Sequence, residues 1–145
     1  MEFEGQIEKN AMSWAFRAPD LRNYYATKIQ VRKTGNLPTA DIVRYAVLNG
    51  IEKDQQHLPL PISIRPDTLY HVQMSIRGNQ FTTKVNGQVV DSWTDSRLKH
   101  GGVGFFSDKG ESSTTLGGCA GRTRRDFLAI FRDGILCQPS WIVRA

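Results

Sequence analysis

Two carboxylates, Asp91 and Asp95, stand on either side of Trp93. In an extended strand alternate side chains share a face, so Asp91 lies beside Trp93. That places an acid next to an aromatic ring of the kind on which sugars stack. Asp95 falls where the strand gives way to a turn. A second acidic pair, Asp108 and Glu111, accompanies Ser107 in a Gly-containing loop. Oxygen ligands on a loop suit calcium, which takes about six to eight of them, and these three side chains supply part of such a shell. Glu2, Glu4 and Glu8 share one strand face, as a solvated strand would have them. His57, His71 and His100 are scattered, with no pair at ligand spacing. Cys119 sits in a Gly-rich stretch where Arg122 would lower its pKa, but no base is positioned for it. There is no Gly-x-Ser-x-Gly elbow and no glycine-rich phosphate turn opening a helix. Nucleophilic hydrolysis and nucleotide binding therefore find no support.

Ligand binding finds more. β-Sandwiches hold sugars by stacking on aromatic faces while polar groups take the hydroxyls. The residue types that fit are Tyr24, Tyr45 and Trp93, with Arg17, Asp20, Asn23 and Arg44. Arg17 alternates away from the core face of Trp14 and Phe16. Asp20 and Asn23 fall in a connection, where function concentrates. The same two residues also cap turns by bonding nearby backbone groups.

The elements that must carry these residues read as strands. Phe3, Gly5 and Ile7 alternate with acids, Met12, Trp14 and Phe16 with Ser13, Ala15 and Arg17, and Tyr70, Val72, Met74 and Ile76 with polar neighbours. A period of two is the mark of half-buried antiparallel strands. Gly78-Asn79 and Asn86-Gly87 suit two-residue hairpins, so 69–77, 80–85 and 88–94 form a meander. Further strands are expected at 25–33, 41–48, 57–64 and 102–107. Pro59 and Pro61 mark 57–64 as an edge or an irregular segment. Residues 110–121 read as a last weak strand and a connection. From 124 to 136, Phe127, Phe131 and Ile135 recur every four positions with Leu128 alongside, the spacing of a short amphipathic helix packed on the sandwich. A helix on a membrane surface is the alternative, because Arg122, Arg124 and Arg125 precede or open it.

At 145 residues, 39% hydrophobic and 23% charged, the chain has the size and composition of one globular domain. Its net charge of +5 reads as a solvated surface, and no basic helix with interleaved aromatics points to nucleic acid. No apolar run approaches the roughly 20 residues of a membrane span, and the Met-Glu-Phe-Glu start is not that of a signal peptide. Cys119 and Cys137 are too few for a disulfide framework. One bridge between them and two buried thiols both remain open, and the compartment with them.

Three stretches together resemble a known family. The first is Trp14-Ala15-Phe16-Arg17 with Asp20 and Asn23-Tyr24-Tyr25, leading into Lys28-Ile29. The second runs from Tyr70-His71-Val72 through Gly78-Asn79-Gln80-Phe81 to Val85-Asn86-Gly87. The third is Trp93 and Asp95 followed by Gly101-Gly102-Val103-Gly104-Phe105-Phe106-Ser107. Over residues 1–117 this order is similar to bacterial domains of the concanavalin A-like lectin/glucanase superfamily. Those include laminin-G-like modules and the family named for 3-keto-disaccharide hydrolases.

The resemblance implies an all-β, two-sheet antiparallel jelly-roll sandwich at 1–117, with 118–145 as a C-terminal extension bearing the short helix. The Gly-rich strand also has a reading of its own: Val103 and Phe105 point to one face and Phe106 to the other, as in a strand in the middle of a sheet with apolar cover. The resemblance also implies an extracytoplasmic setting, for which this chain carries no export signal. Such domains carry a further strand before the one matching Phe3–Ile7. The edge left open there is expected to pair with another copy. Jelly-roll glucanases present their acids as Glu-x-Asp-x-x-Glu, and that spacing is absent. The expected function is therefore a non-catalytic module for carbohydrate or a protein partner, with calcium as an optional ion. The alternatives are a glycoside hydrolase using Asp20, Asp91 or Glu111, and an assembly domain.

Overall fold

The computed structural model describes residues 1–33, 39–65 and 67–116. Ten strands run through them: β1 (Glu2–Lys9), β2 (Ala11–Asp20), β3 (Asn23–Lys33), β4 (Thr39–Leu48), β5 (Ile51–Pro59), β6 (Leu69–Arg77), β7 (Gln80–Val85), β8 (Gln88–Thr94), β9 (Gly102–Phe106) and β10 (Ser112–Leu116). They form two five-stranded sheets, ordered β10-β1-β6-β7-β8 and β5-β4-β3-β2-β9. Every pairing is antiparallel. The antiparallel strands expected from the alternation, and the all-β two-sheet sandwich implied by the resemblance, are the fold.

The core is what the period of two dictates. Phe3, Val72, Phe81 and Val85 from one sheet meet Trp14, Phe16, Tyr25, Ile29 and Ile42 from the other, and all are essentially inaccessible to water. Burying each such side chain contributes about 1.5–3 kcal/mol. Gly5 interrupts the apolar series of β1 for a steric reason: a Cβ there would strike the Met12 sulfur, which crosses in from the opposite sheet. At Asn86-Gly87 both residues have positive φ, 50° and 82°, the backbone that a tight hairpin joining β7 to β8 requires.

Three expectations change. The strand expected at 57–64 is β5, Ile51–Pro59, six residues earlier than its expected start. It is an edge strand exposed on both faces, so it has no alternation to read, and Asn49-Gly50 supplies its hairpin turn with φ of 55° and 81°. Phe3–Ile7 is not an open edge, because β1 lies between β10 and β6. Ser112–Leu116 covers the side expected to invite self-association. The Gly-rich strand β9 is an edge strand of its sheet, not a central one. Its faces are as expected, with Val103 and Phe105 inward and Phe106 outward. The helix expected at 124–136, Cys119, Cys137 and Arg122–Arg125 lie outside the described residues. Among the described residues no helix is long and apolar enough to cross a membrane.

Candidate functional site

Along one side of the sandwich the free edges are β8 and β5. A cleft of about 490 Å³ opens between them. Its walls come from Arg44, Tyr45 and Ala46 of β4, Asp54 and Gln56 of β5, Ser92, Trp93 and Thr94 of β8, and Asp95 and Arg97 of the following loop.

Strand alternation carries Asp91 and Trp93 inward from β8 and Arg44 inward from β4. Trp93 packs on Phe81 (centroids 4.8 Å apart), Tyr25 (5.3 Å) and Phe16 (6.1 Å). The Arg44 guanidinium stands over the Trp93 ring, 5.0 Å from its centroid. Arg44 Nε lies 3.6 Å from Asp91 Oδ2, beyond hydrogen-bond reach, and both atoms are enclosed without a hydrogen-bond partner. Burial pushes the Asp91 carboxyl above its ordinary pKa, while the Arg44 charge and the Ser92 N–H pull the other way. Among the described residues no acceptor engages the terminal nitrogens of Arg44. Trp93 therefore serves as a platform that holds Arg44 at the cleft, not as a bare stacking face.

The rim is a closed ionic network. Asp95 accepts from Tyr25 Oη at 2.6 Å, from the Arg97 backbone N–H at 2.9 Å and from the Arg97 guanidinium. Arg97 also bridges to Asp54 at 2.6 Å. Asp54 reaches it from a β-bulge, where β5 slips against β4 between Arg44 and Ala46, and it takes a φ of 56°. A bulge re-aims a side chain in this way. Tyr25 Oη in turn accepts from the Leu98 N–H at 2.9 Å. Burial, followed by the bond to Asp95, pushes the Tyr25 hydroxyl up to about 12.

Burial alone would raise Asp95. Hydrogen bonds from Arg97 and Tyr25, with the Arg97 charge, outweigh it and hold the carboxyl at about 2. An aspartate of the unfolded chain titrates near about 3.9. The folded state thus binds fewer protons between those values. Its stabilisation is complete above about pH 4 and is lost as the pH falls toward about 2. Asp95→Asn is expected to lower the melting temperature at pH 7 and to flatten its decline over that acid range. A variant with the native acid slope would remove Asp95 from this account.

The other expected site residues sort differently. Arg17 sits in a bulge of β2 with φ of 50°. Its guanidinium donates to the carbonyls of Leu98, Lys99 and Gly78, and stands 5.7 Å from the Phe81 ring centroid. It ties loops together. Asp20 accepts from the Arg22 N–H and from Asn23 Nδ2, and Asn23 Oδ1 accepts from the Asn49 N–H at 3.0 Å, so this pair builds turns. Tyr24 and the Tyr45 ring belong to a cluster on the outer face of the β2-β3-β4 sheet, away from the cleft. Of the expected binding residues, the cleft gathers the side chains of Arg44 and Trp93, while Tyr45 borders it with its ring turned to the outer face. Asp54, Gln56, Ser92 and Arg97 were not anticipated. The Asp95-Ser96-Arg97 spacing, which suits an Asx turn, was the readable signal for one of them.

Asp108 and Glu111 do come together, but around Lys28. Its ammonium lies 2.7 Å from Asp108 and 2.9 Å from Glu111. Glu111 also accepts from Ser13 Oγ and the Asp108 N–H. Burial would lower the Lys28 pKa, and the two carboxylates outweigh it, leaving it raised. Calcium would have to displace that ammonium. Among the described residues no group of three or more His, Cys, Asp or Glu side chains is placed to hold a metal ion. Lys28→Met leaves the carboxylates facing each other and is expected to cost about 2 kcal/mol in urea melts. Calcium should then restore part of the loss if the pair has any affinity for it. An unchanged midpoint would show that the pair contributes nothing to stability.

No family model matches the chain, and no curated protein matches it. Among solved structures it is similar to the carbohydrate-binding module CBM66 from Bacillus subtilis, at 17% identity and a TM-score of 0.53, over 79% of this chain and 70% of that one. At that identity the likeness shows the shared two-sheet β-sandwich fold.

Proposed function

We propose that this chain is a non-catalytic binding module for carbohydrate, and that the saccharide sits in the cleft at Arg44. The observation that carries the reading is the guanidinium held on Trp93 at the wall of the cleft, its terminal nitrogens without an acceptor among the described residues. Gln56, paired with Arg44 across the two strands, supplies a donor and an acceptor for hydroxyl groups. The fold is shared with a protein named as a carbohydrate-binding module, which supports the same reading. The finer kinship, to concanavalin A-like and laminin-G-like modules, is part of this proposal and rests on the sequence motifs.

Glycoside hydrolysis is the weaker alternative. It needs two carboxyl groups about 5–9.5 Å apart across the scissile bond. Asp54 and Asp95 are both committed to Arg97, and the partnerless oxygen of Asp91 is enclosed. Titration calorimetry against a panel of oligosaccharides, with calcium or with a chelator, tests the proposal. Saturable, calcium-independent heat with the saccharide recovered intact is the expected result. Shortened or oxidised saccharide would move the chain to the enzymes. Silence across the panel would leave a protein partner as the ligand.

A further inference from the structure

The outer face of the β5-β4-β3-β2-β9 sheet has the character of an interior. Tyr24, Val43, Tyr45, Val47 and Phe106, with Ala15 between them, form a second apolar cluster in which no side chain is more than 4% exposed. The pairing register sets it out in rows. Phe106, Ser13, Lys28 and Val43 form one, Gly104, Ala15, Ala26 and Tyr45 the next, and Tyr24 and Val47 the third. An open sandwich turns polar side chains outward here, as the other sheet does with Glu4, Gln73, Thr82 and Ser92. Among the described residues the turn at 107–111 reaches over this face, fastened to Ser13 and Lys28. No described strand is laid across it.

We propose that the chain's own residues 124–136 are the cover. The chain continues past β10 to Ala145. Phe127, Leu128, Phe131 and Ile135 carry one apolar stripe at helical spacing. The lengths agree. Residues 117–123 can extend about 23 Å at about 3.3 Å each, enough to round a sandwich whose sheets pack about 10 Å apart. A helix over 124–136 would measure about 20 Å, the width of four strand spacings of about 4.8 Å. The C-terminal segment thus closes one face and leaves the cleft as the open one. This inference stands apart from the identity of the cleft's ligand.

The four tyrosines give the test, because Tyr25 and Tyr70 point into the core while Tyr24 and Tyr45 point to the outer face. Full-length protein is acetylated with N-acetylimidazole and the sites are mapped by mass spectrometry, with the association state followed by sedimentation. In the native chain all four should be protected in a monomer. Phe127→Asp with Phe131→Asp should accelerate Tyr24 and Tyr45 at least tenfold and leave Tyr25 and Tyr70 protected. Native rates at Tyr24 and Tyr45 in that variant would overturn the proposal, as would protection that vanishes when a dimer is diluted. Should the variant unfold, a benzophenone amino acid replacing Glu52, at the rim beside Val47, decides. Photo-adducts within residues 124–136 of the same chain are expected. Adducts to a second copy, or only within residues 1–116, would refute it.

Discussion

Replacing Phe81 with alanine is expected to destabilise the fold by about 4 kcal/mol, within the range of about 3–5 kcal/mol for deleting a buried phenyl ring. The ring is wholly buried. Its centroid is 5.0 Å from that of Phe16, 5.2 Å from Tyr25 and 4.8 Å from Trp93. Aromatic pairs at such separations add about 0.5–1.5 kcal/mol each beyond the area they bury. The rings come from β2, β3, β7 and β8, so no single element can move in to fill the space. A domain of this size has about 5–15 kcal/mol in total, so the variant should be folded at low temperature and marginal at 37 °C. In urea the midpoint should fall with the slope unchanged. The change also reaches the cleft, because Phe81 supports the platform on which Arg44 rests. Saccharide affinity measured where the variant is fully folded should drop several-fold. A loss of stability under about 1 kcal/mol would mean that the four rings do not form the joint between the sheets.

How much of this was legible in the sequence follows from one physical distinction. Elements with one wet face and one dry face announce themselves. The meander of β6, β7 and β8, and the inward set Met12, Trp14 and Phe16, read directly from the period of two. Edge strands do not. β5 is exposed on both faces from Ile51 to His57, so its sequence Ile-Glu-Lys-Asp-Gln-Gln-His has no alternation, and the Asn49-Gly50 turn was its readable signal. β9 fails for the opposite reason. It is apolar on both faces because Phe106 joins the outer cluster, and double burial at an edge looks like a central strand.

For the site, residue type was a fair guide and position was not. Arg17, Asp20 and Asn23 have the chemistry of ligand contacts, but the nearest unsatisfied groups are backbone N–H and C=O at turns, and those take them. Asp54 and Gln56 could not be placed without knowing that the free edges of β5 and β8 lie side by side. The acidic pair Asp108 and Glu111, expected as calcium ligands, meets at a lysine instead. That lysine is 80 residues away in the chain, which no local spacing can reveal.

Arg44 carries the second large effect, and its two conservative replacements separate its roles. Arg44→Lys keeps a positive charge opposite Asp91 but replaces the planar fork by a single ammonium, which cannot make two parallel bonds or stack on Trp93 in the same way. Stability should stay within about 1 kcal/mol of native while saccharide affinity falls at least tenfold, about 1.4 kcal/mol. Arg44→Met removes the charge as well. Affinity should then fall about a hundredfold, about 2.7 kcal/mol, and Asp91 is left buried without the one cation that pairs with it among the described residues. Losing the attraction that lowers its pKa, Asp91 should titrate higher still. The stability cost of about 2 kcal/mol should therefore be greatest at neutral pH and shrink as the carboxyl gains a proton in acid. Asp91→Asn added to Arg44→Met should recover much of that stability without recovering affinity, because the amide needs no counter-charge and the fork is still missing. Native affinity in Arg44→Lys would take bidentate recognition out of the reading, and native affinity in Arg44→Met would move the ligand to another part of the surface. The combination predicted here, affinity lost with the fork and stability lost only with the charge, is the pattern of an arginine held by the protein on one side and left for a ligand on the other.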